Sequence, residues 1–148
     1  MSDPEDFLAE TMPRYHDAET ALHNGDAAPR KAMWSRTDPV ALFGAGMSGA
    51  GWAEIEPIFD HLEAAFSNCT SYQNEVIAAG ASGDLAYAVS SEHTTASVNG
   101  EPPSAYLLRV TTLFRREEGE WKVVHRHGDP LASSAAGELV ERLVAERK

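Results

Sequence analysis

The stretch Ala105–Pro130, AYLLRVTTLFRREEGEWKVVHRHGDP, limits the fold more than any other part of the chain. Leu107 to Arg115 is rich in Leu, Val, Thr and Phe, which suit a pleated, half-buried surface. Glu118-Gly119 separates this run from a second one, and glycine there supplies the backbone freedom of a hairpin turn. In the second run Trp121, Val123, His125 and His127 share one parity, and Lys122, Val124 and Arg126 the other. Side chains change face at every residue. With Arg116 opposite Trp121, the pattern predicts Phe114 facing Val123, Thr112 facing His125 and Val110 facing His127. That register turns an apolar face with a titratable end toward an enclosed space. Arg109, Thr111, Leu113, Arg115, Lys122, Val124 and Arg126 then lie on the opposite face. A bulge on either strand would exchange the faces beyond it.

The rest of the chain supplies what such a sheet needs as cover. Asp3-Pro4 predicts a helix start, with Leu8, Met12, Tyr15, Ala18 and Leu22 at helical spacing, Pro13 bending it and Gly25 ending it. Asp26 caps a short second helix through Met33 and Trp34. Val40 to Phe43 reads as a short strand. The glycine-rich GAGMSGAG at 44–51 lacks a Walker lysine and a βαβ setting, so it reads as a flexible loop. Ser48 is the expected cap of a third helix carrying Trp52, Ile55, Phe59, Leu62 and Phe66. Tyr72–Ala79 and Leu85–Val98 are the next strands, and Asn99–Pro103 turns into the closing hairpin. Leu139, Val140 and Leu143 suggest a short C-terminal helix within 133–148. The expected fold is α+β: one domain over 1–148, a cone-shaped, curved antiparallel sheet covered by three N-terminal helices.

The 148 residues carry 12 Lys and Arg against 23 Asp and Glu, a formal charge of −11. Such a chain repels nucleic acid and anionic membrane, so neither is an expected partner. Cys69 is the only cysteine, which excludes an internal disulfide and a cysteine metal cluster. The acidic start has no positive region or apolar core, and no apolar run approaches membrane-spanning length. A cytoplasmic location is expected.

LRVTTLFRREEGEWKVVHRHGDP, together with NGD at 24–26, MWS at 33–35 and DPVALFGAG at 38–46, resembles the SnoaL-like and ketosteroid-isomerase-like branch of the nuclear transport factor 2-like superfamily. The resemblance spans nearly all of the chain. It implies a cone with a ligand at its mouth, on a superfold that hosts isomerases, cyclases, dehydratases, epoxide hydrolases and non-catalytic association domains. It leaves enzyme activity open. A dimer built on the convex sheet face is expected, and no cofactor.

His127, His125 and Asp129 are the candidate catalytic residues. Imidazoles two apart on a strand share a face and titrate near neutral pH, and Asp129 either takes part in proton transfer or orients His127. The alternative is a fold-maintaining role through neighbours such as Thr112. A metal held by this pair with Asp129 or His93 lacks a clearly placed second carboxylate, so no metal is expected. Trp34, Phe43, Trp52, Phe59, Tyr87 and Thr112 are the expected ligand-contacting wall. Glu92 is expected to pair across strands with Arg109. Asp38 precedes Pro39 as a turn residue, and the Gly44-Ala45-Gly46 region carries no carboxylate where an isomerase base would be expected. The function expected is binding of a small, largely apolar or carbonyl-bearing molecule in the cone. Cofactor-independent acid/base chemistry of isomerase, cyclase or hydrolase type is one extension. A non-catalytic ligand-binding or dimeric association domain is the alternative.

Overall fold

The computed structural model describes residues 3–130 and 142–145. Two helices, α1 (Asp3–Leu22) and α2 (Ala28–Met33), lead into a short hairpin of β1 (Ala41–Gly44) and β2 (Met47–Ala50). The helix α3 (Trp52–Ala65) follows. Four long strands complete the fold: β3 (Phe66–Ser82), β4 (Leu85–Val98), β5 (Ser104–Glu117) and β6 (Glu120–Asp129). They form one six-stranded sheet in the order β2-β1-β6-β5-β4-β3. The pairings are antiparallel except β1 with β6, which run parallel. The expected α+β architecture is present. Of the expected C-terminal helix, 142–145 form a helical turn, and the remainder of 133–148 lies outside the described residues. No described helix is long and apolar enough to cross a membrane.

The helix α1 lies over the sheet and runs on through Pro13. It buries Phe7, Thr11, Tyr15, Ala18, Glu19 and Leu22, while Leu8 and Met12 are partly buried on its flank. The buried stripe is thus rotated from the apolar spine the spacing suggested, and it admits a carboxylate. Phe7 meets Phe114 and Trp121 edge-on, with ring centroids at 4.9 and 5.3 Å. Trp34 and Phe59 meet at 5.4 Å. Burying each such side chain stabilises the fold by about 1.5–3 kcal/mol, so these contacts fix how the helices sit on the sheet. Ala27, not Asp26, occupies the cap position of α2, and Asp26 holds the helix start from one residue earlier, its Oδ1 accepting the Ala28 N–H at 3.0 Å.

The glycine-rich stretch is a hairpin, which corrects the expected loop. Ala45 (φ 49°) and Gly46 (φ 82°) both lie in the left-handed region, as a two-residue primed turn requires. Ser48 is committed to β2 opposite Phe43, so Gly51, not Ser48, occupies the cap position of α3. Gly44 runs beside Gly128, and a Cβ on Gly44 would lie 2.9 Å from the Gly128 carbonyl oxygen. The strand β3 begins at Phe66, directly after α3 and earlier than the expected Tyr72.

A bulge in β6 sets the inner surface of the cone. Arg116 does face Trp121, and Phe114 faces Val123, but Leu113 then faces His125, Thr112 faces Arg126 and Thr111 faces His127. Val124 is the extra residue. Beyond it the parity exchanges: Arg126 is buried, His125 is half-buried and His127 exposed. The inward placement expected for His125 and His127 is therefore corrected. The physical reason is charge: Glu19 and Glu92 are both buried at 2% exposure, and buried carboxylates need a cation beside them.

The strand β4 is corrected in the same sense. Ala86, Ala88, Ser90, Glu92 and Thr94 are buried, and Tyr87 is exposed. A Cβ on Gly80 would lie 2.5 Å from the Tyr87 ring, so that ring covers its cross-strand neighbour, with which it pairs in the sheet. Glu92 faces Leu108, and Arg109 faces Ser91 and Asp129, so the expected Glu92–Arg109 pair is not formed.

Candidate functional site: a cavity with a buried polar floor

A cavity of about 240 Å³ opens at the mouth of the cone. Leu22 at the end of α1, Leu42 and Met47 of the small hairpin, Ile58 and Leu62 of α3, Phe66, Leu108 and Pro130 give it apolar walls. Its polar lining consists of His23, Tyr106, Arg30 and Arg126. Among the described residues no carboxylate borders it.

His23 follows α1 and is 2% exposed. Its Nδ1 lies 2.7 Å from the Glu19 carbonyl oxygen, which can only accept, so Nδ1 carries the proton. Its Nε2 contacts the Tyr106 hydroxyl. Burial lowers the His23 pKa, against the opposing pull of Glu19. The ring is thus neutral, with Nε2 as the acceptor and Tyr106 as the donor. Burial pushes the Tyr106 hydroxyl up to about 12, which keeps its proton in place.

Behind this pair lies an ion-pair network. Arg30 donates Nε to Glu19 Oε2 at 2.8 Å and Nη2 to Glu19 Oε1. Arg126 donates to both Glu92 oxygens, at 2.8 and 3.2 Å, and to the Tyr15 hydroxyl. Tyr15 in turn donates to Glu92 Oε2 at 3.0 Å, with Thr112 Oγ1 at 3.5 Å. Arg126 Nη1 also lies 3.8 Å from Glu19. Burial works against the charge on Glu19, but Arg30 and then Arg126 outweigh it and hold its pKa below the usual carboxylate range. Burial drives the Tyr15 pKa far upward. Two carboxylates and two guanidiniums balance, so the floor is neutral as a whole.

Of the residues singled out in the sequence, all but Phe43 lie elsewhere. His127 Nε2 pairs with Asp129 Oδ2 at 2.6 Å, with both side chains half in solvent. Asp129 Oδ1 accepts the Ala45 N–H at 3.2 Å and so tethers the β1–β2 turn. His125 Nδ1 donates to the Ala41 carbonyl at 2.8 Å. Phe43 borders the cavity, but its ring meets those of His125 and His127 edge-on, both at 5.7 Å. Trp34, Phe59 and Thr112 are core. Trp52 packs on Phe59 beneath the Arg36 guanidinium, and Tyr87 is on the outer face. No group of three or more potential metal ligands occurs among the described residues.

The SnoaL-like domain model matches residues 9–133, most of the chain. The chain belongs to the SnoaL-like family. Solved structures share the fold of this SnoaL-like domain at low identity. A nuclear transport factor 2-like superfamily protein from Salmonella enterica is 17% identical with a TM-score of 0.68, over 90% of this chain and 95% of that one. A ketosteroid isomerase-like protein from Erwinia carotovora is 20% identical with a TM-score of 0.67, over 86% and 98%. An NTF2-like protein of unknown function in nutrient uptake from Rhodospirillum rubrum is 21% identical with a TM-score of 0.63, over 84% and 98%. No curated protein matches the chain.

The residues that sequence reasoning missed are His23, Arg30, Glu19 and Tyr106. A signal for Glu19 was present: Phe7, Thr11, Tyr15, Glu19 and His23 recur every four residues along α1, the spacing of one helix face. A carboxylate on a face that also carries Phe7 and Tyr15 calls for a buried cation. Nothing in the linear sequence says which arginine supplies it.

Proposed function

We propose that this SnoaL-like domain binds a small, largely apolar, carbonyl-bearing molecule in the cavity at the cone mouth. The observation that carries this reading is an apolar wall ending in a buried, neutral His23–Tyr106 pair. Tyr106 gives its one proton to His23 Nε2, so the pair leaves the Tyr106 oxygen as an acceptor, and Arg30 and Arg126 beside it supply the donors that the apolar walls lack. The volume corresponds to roughly eight waters, or a ligand on the order of ten heavy atoms. Leu62 borders the cavity and is partly buried on α3, so Leu62→Trp fills the space from a tolerant position. We expect saturable binding of small ketones, alcohols or acids by ligand-observed NMR, weakened at least tenfold by Leu62→Trp with the melting temperature nearly unchanged. Binding unaffected by the substitution, or no binding by the parent chain, would refute it.

Acid/base chemistry is a second reading, favoured by the fixed tautomer of His23. When a carbonyl oxygen takes the Tyr106 proton in place of Nε2, the freed Nε2 lone pair is a base of the kind that removes a proton next to that carbonyl. Deuterium incorporation beside the carbonyl of a bound ketone, lost in His23→Gln, would support it. Binding without exchange leaves a ligand-binding module.

A homodimer through the outer sheet face belongs to the same reading. Ile77, Leu85, Tyr87 and Leu113 are 61%, 60%, 43% and 40% exposed there, a concentration of apolar surface that monomers seldom leave uncovered. Sedimentation at micromolar concentration is expected to show a dimer that Leu113→Lys converts to monomer. A monomeric parent chain would remove this part.

A further inference from the structure

Both arginines of the buried network border the cavity, and among the described residues neither of their carboxylate partners does. Glu19 lies instead with Tyr15, Ala18 and Trp34 around a small void behind. Glu92 is bonded to Tyr15 and Arg126. Arg30 and Arg126 border both spaces and the carboxylates do not border the cavity, so a network that is neutral overall presents its cations there.

Donors remain free on that side. A guanidinium carries five N–H groups. Arg30 commits Nε and Nη2 to Glu19, and its Nη1 makes no hydrogen bond among the described residues. A Cβ on Gly128 would lie 3.6 Å from Arg126 Nη2, and Gly128 itself borders the cavity. The missing side chain leaves the edge of that guanidinium uncovered.

We propose that the cavity selects a small apolar carboxylic acid, bound as its anion, with the carboxylate on Arg30 and Arg126 and the apolar body between Leu22, Leu42, Ile58 and Leu62. This rests on the reading that the cavity holds a ligand, and adds the chemical class of that ligand. A carboxylate taken out of water needs charge-assisted donors, and planar guanidiniums supply them in matching geometry. A neutral alcohol or amide gains less from them. The overall charge of −11 opposes an anion at long range. That repulsion is screened beyond about 8 Å at physiological salt, so the two adjacent guanidiniums decide.

The test is a calorimetric titration at pH 8 with hexanoate, octanoate and 3-phenylpropanoate, each against its primary amide and alcohol. The acids are expected to bind at least tenfold more tightly than their neutral partners. Arg30→Lys keeps a charge beside Glu19 but loses the fork. It should reduce acid binding about tenfold and alcohol binding much less, so that the acid-over-alcohol preference falls. Gly128→Ala touches neither ion pair and covers the edge of Arg126, with Val110 Cγ2, 3.2 Å from the new methyl, giving way by a few tenths of an ångström, so it should reduce the same preference if the lysine variant fails to fold. Alcohols or amides binding as tightly as the acids would overturn the anion assignment while leaving a ligand-binding cavity. No binding by any of the nine compounds at millimolar concentration would overturn both.

Discussion

Replacing Arg126 with Met is expected to destabilise the fold by about 3–5 kcal/mol, the cost of removing one partner from a buried ion pair. The substitution leaves Glu92 and the Tyr15 hydroxyl without the guanidinium they share, and withdraws one of the two cations that offset Glu19. Replacing His127 with Ala breaks a half-exposed pair with Asp129, which contributes about 0–1 kcal/mol, and an edge-on contact with the exposed Phe43 ring. Equilibrium urea unfolding of the two variants therefore measures the bulge at Val124. If His127 were the costly position and Arg126 the mild one, the inner face of β6 would carry the opposite parity and the cavity floor described above would not exist. A domain has only about 5–15 kcal/mol of net stability, so the substitution removes a large share of it, and at the lower end of that range the arginine variant would be partly unfolded at ambient temperature.

Stability is expected to fall on acidification in two stages. The folded-state pKa of His23 is lowered, with burial the largest cause. Neutral His23 therefore contributes stability that is complete above the unfolded value of about 6.5. That contribution is lost as pH falls through the lower folded value. Glu19 is also held low, because Arg30 and Arg126 outweigh its burial. Its contribution is complete above the unfolded value of about 4.3 and is lost as pH falls further. Unfolding free energies at pH 8, 6, 4.5 and 3 should decline first through the histidine window and then more steeply. His23→Gln should flatten the upper part and leave the lower. A curve that is level from pH 8 to 5 in the parent chain would mean that His23 is not buried neutral, and would remove the acceptor that holds the Tyr106 proton.

How far the sequence could be read differs between levels. Amphipathic spacing placed Ile55 and Phe59 on the inner face of α3, where both are buried, although Phe59 belongs to the core and not to the expected ligand wall. The bounds of β4 and the Glu118-Gly119 turn were legible, since strand composition and turn chemistry are local. The small hairpin was not, because Gly44–Gly51 has little side-chain patterning and gains its pairing from β6. Nor was the parity beyond Val124, because one inserted residue exchanges every later face. His125 and His127 had the clearer chemistry in linear order, yet an arginine between them took the interior.

By itself the sequence determined the fold class: an antiparallel ribbon with alternating faces, too apolar on one of them to stay uncovered, preceded by helices with stripes to cover it. Only the tertiary structure decided which polar groups converge. Tyr15 and Glu19 come from α1, His23 from the turn directly after it, Arg30 from α2, Glu92 from β4, Tyr106 from β5 and Arg126 from β6. Local spacing governs which element forms, because its hydrogen bonds and side-chain neighbours lie a few residues away. The cluster is governed by charge balance across distant segments, and that balance is struck only where the helices meet the sheet.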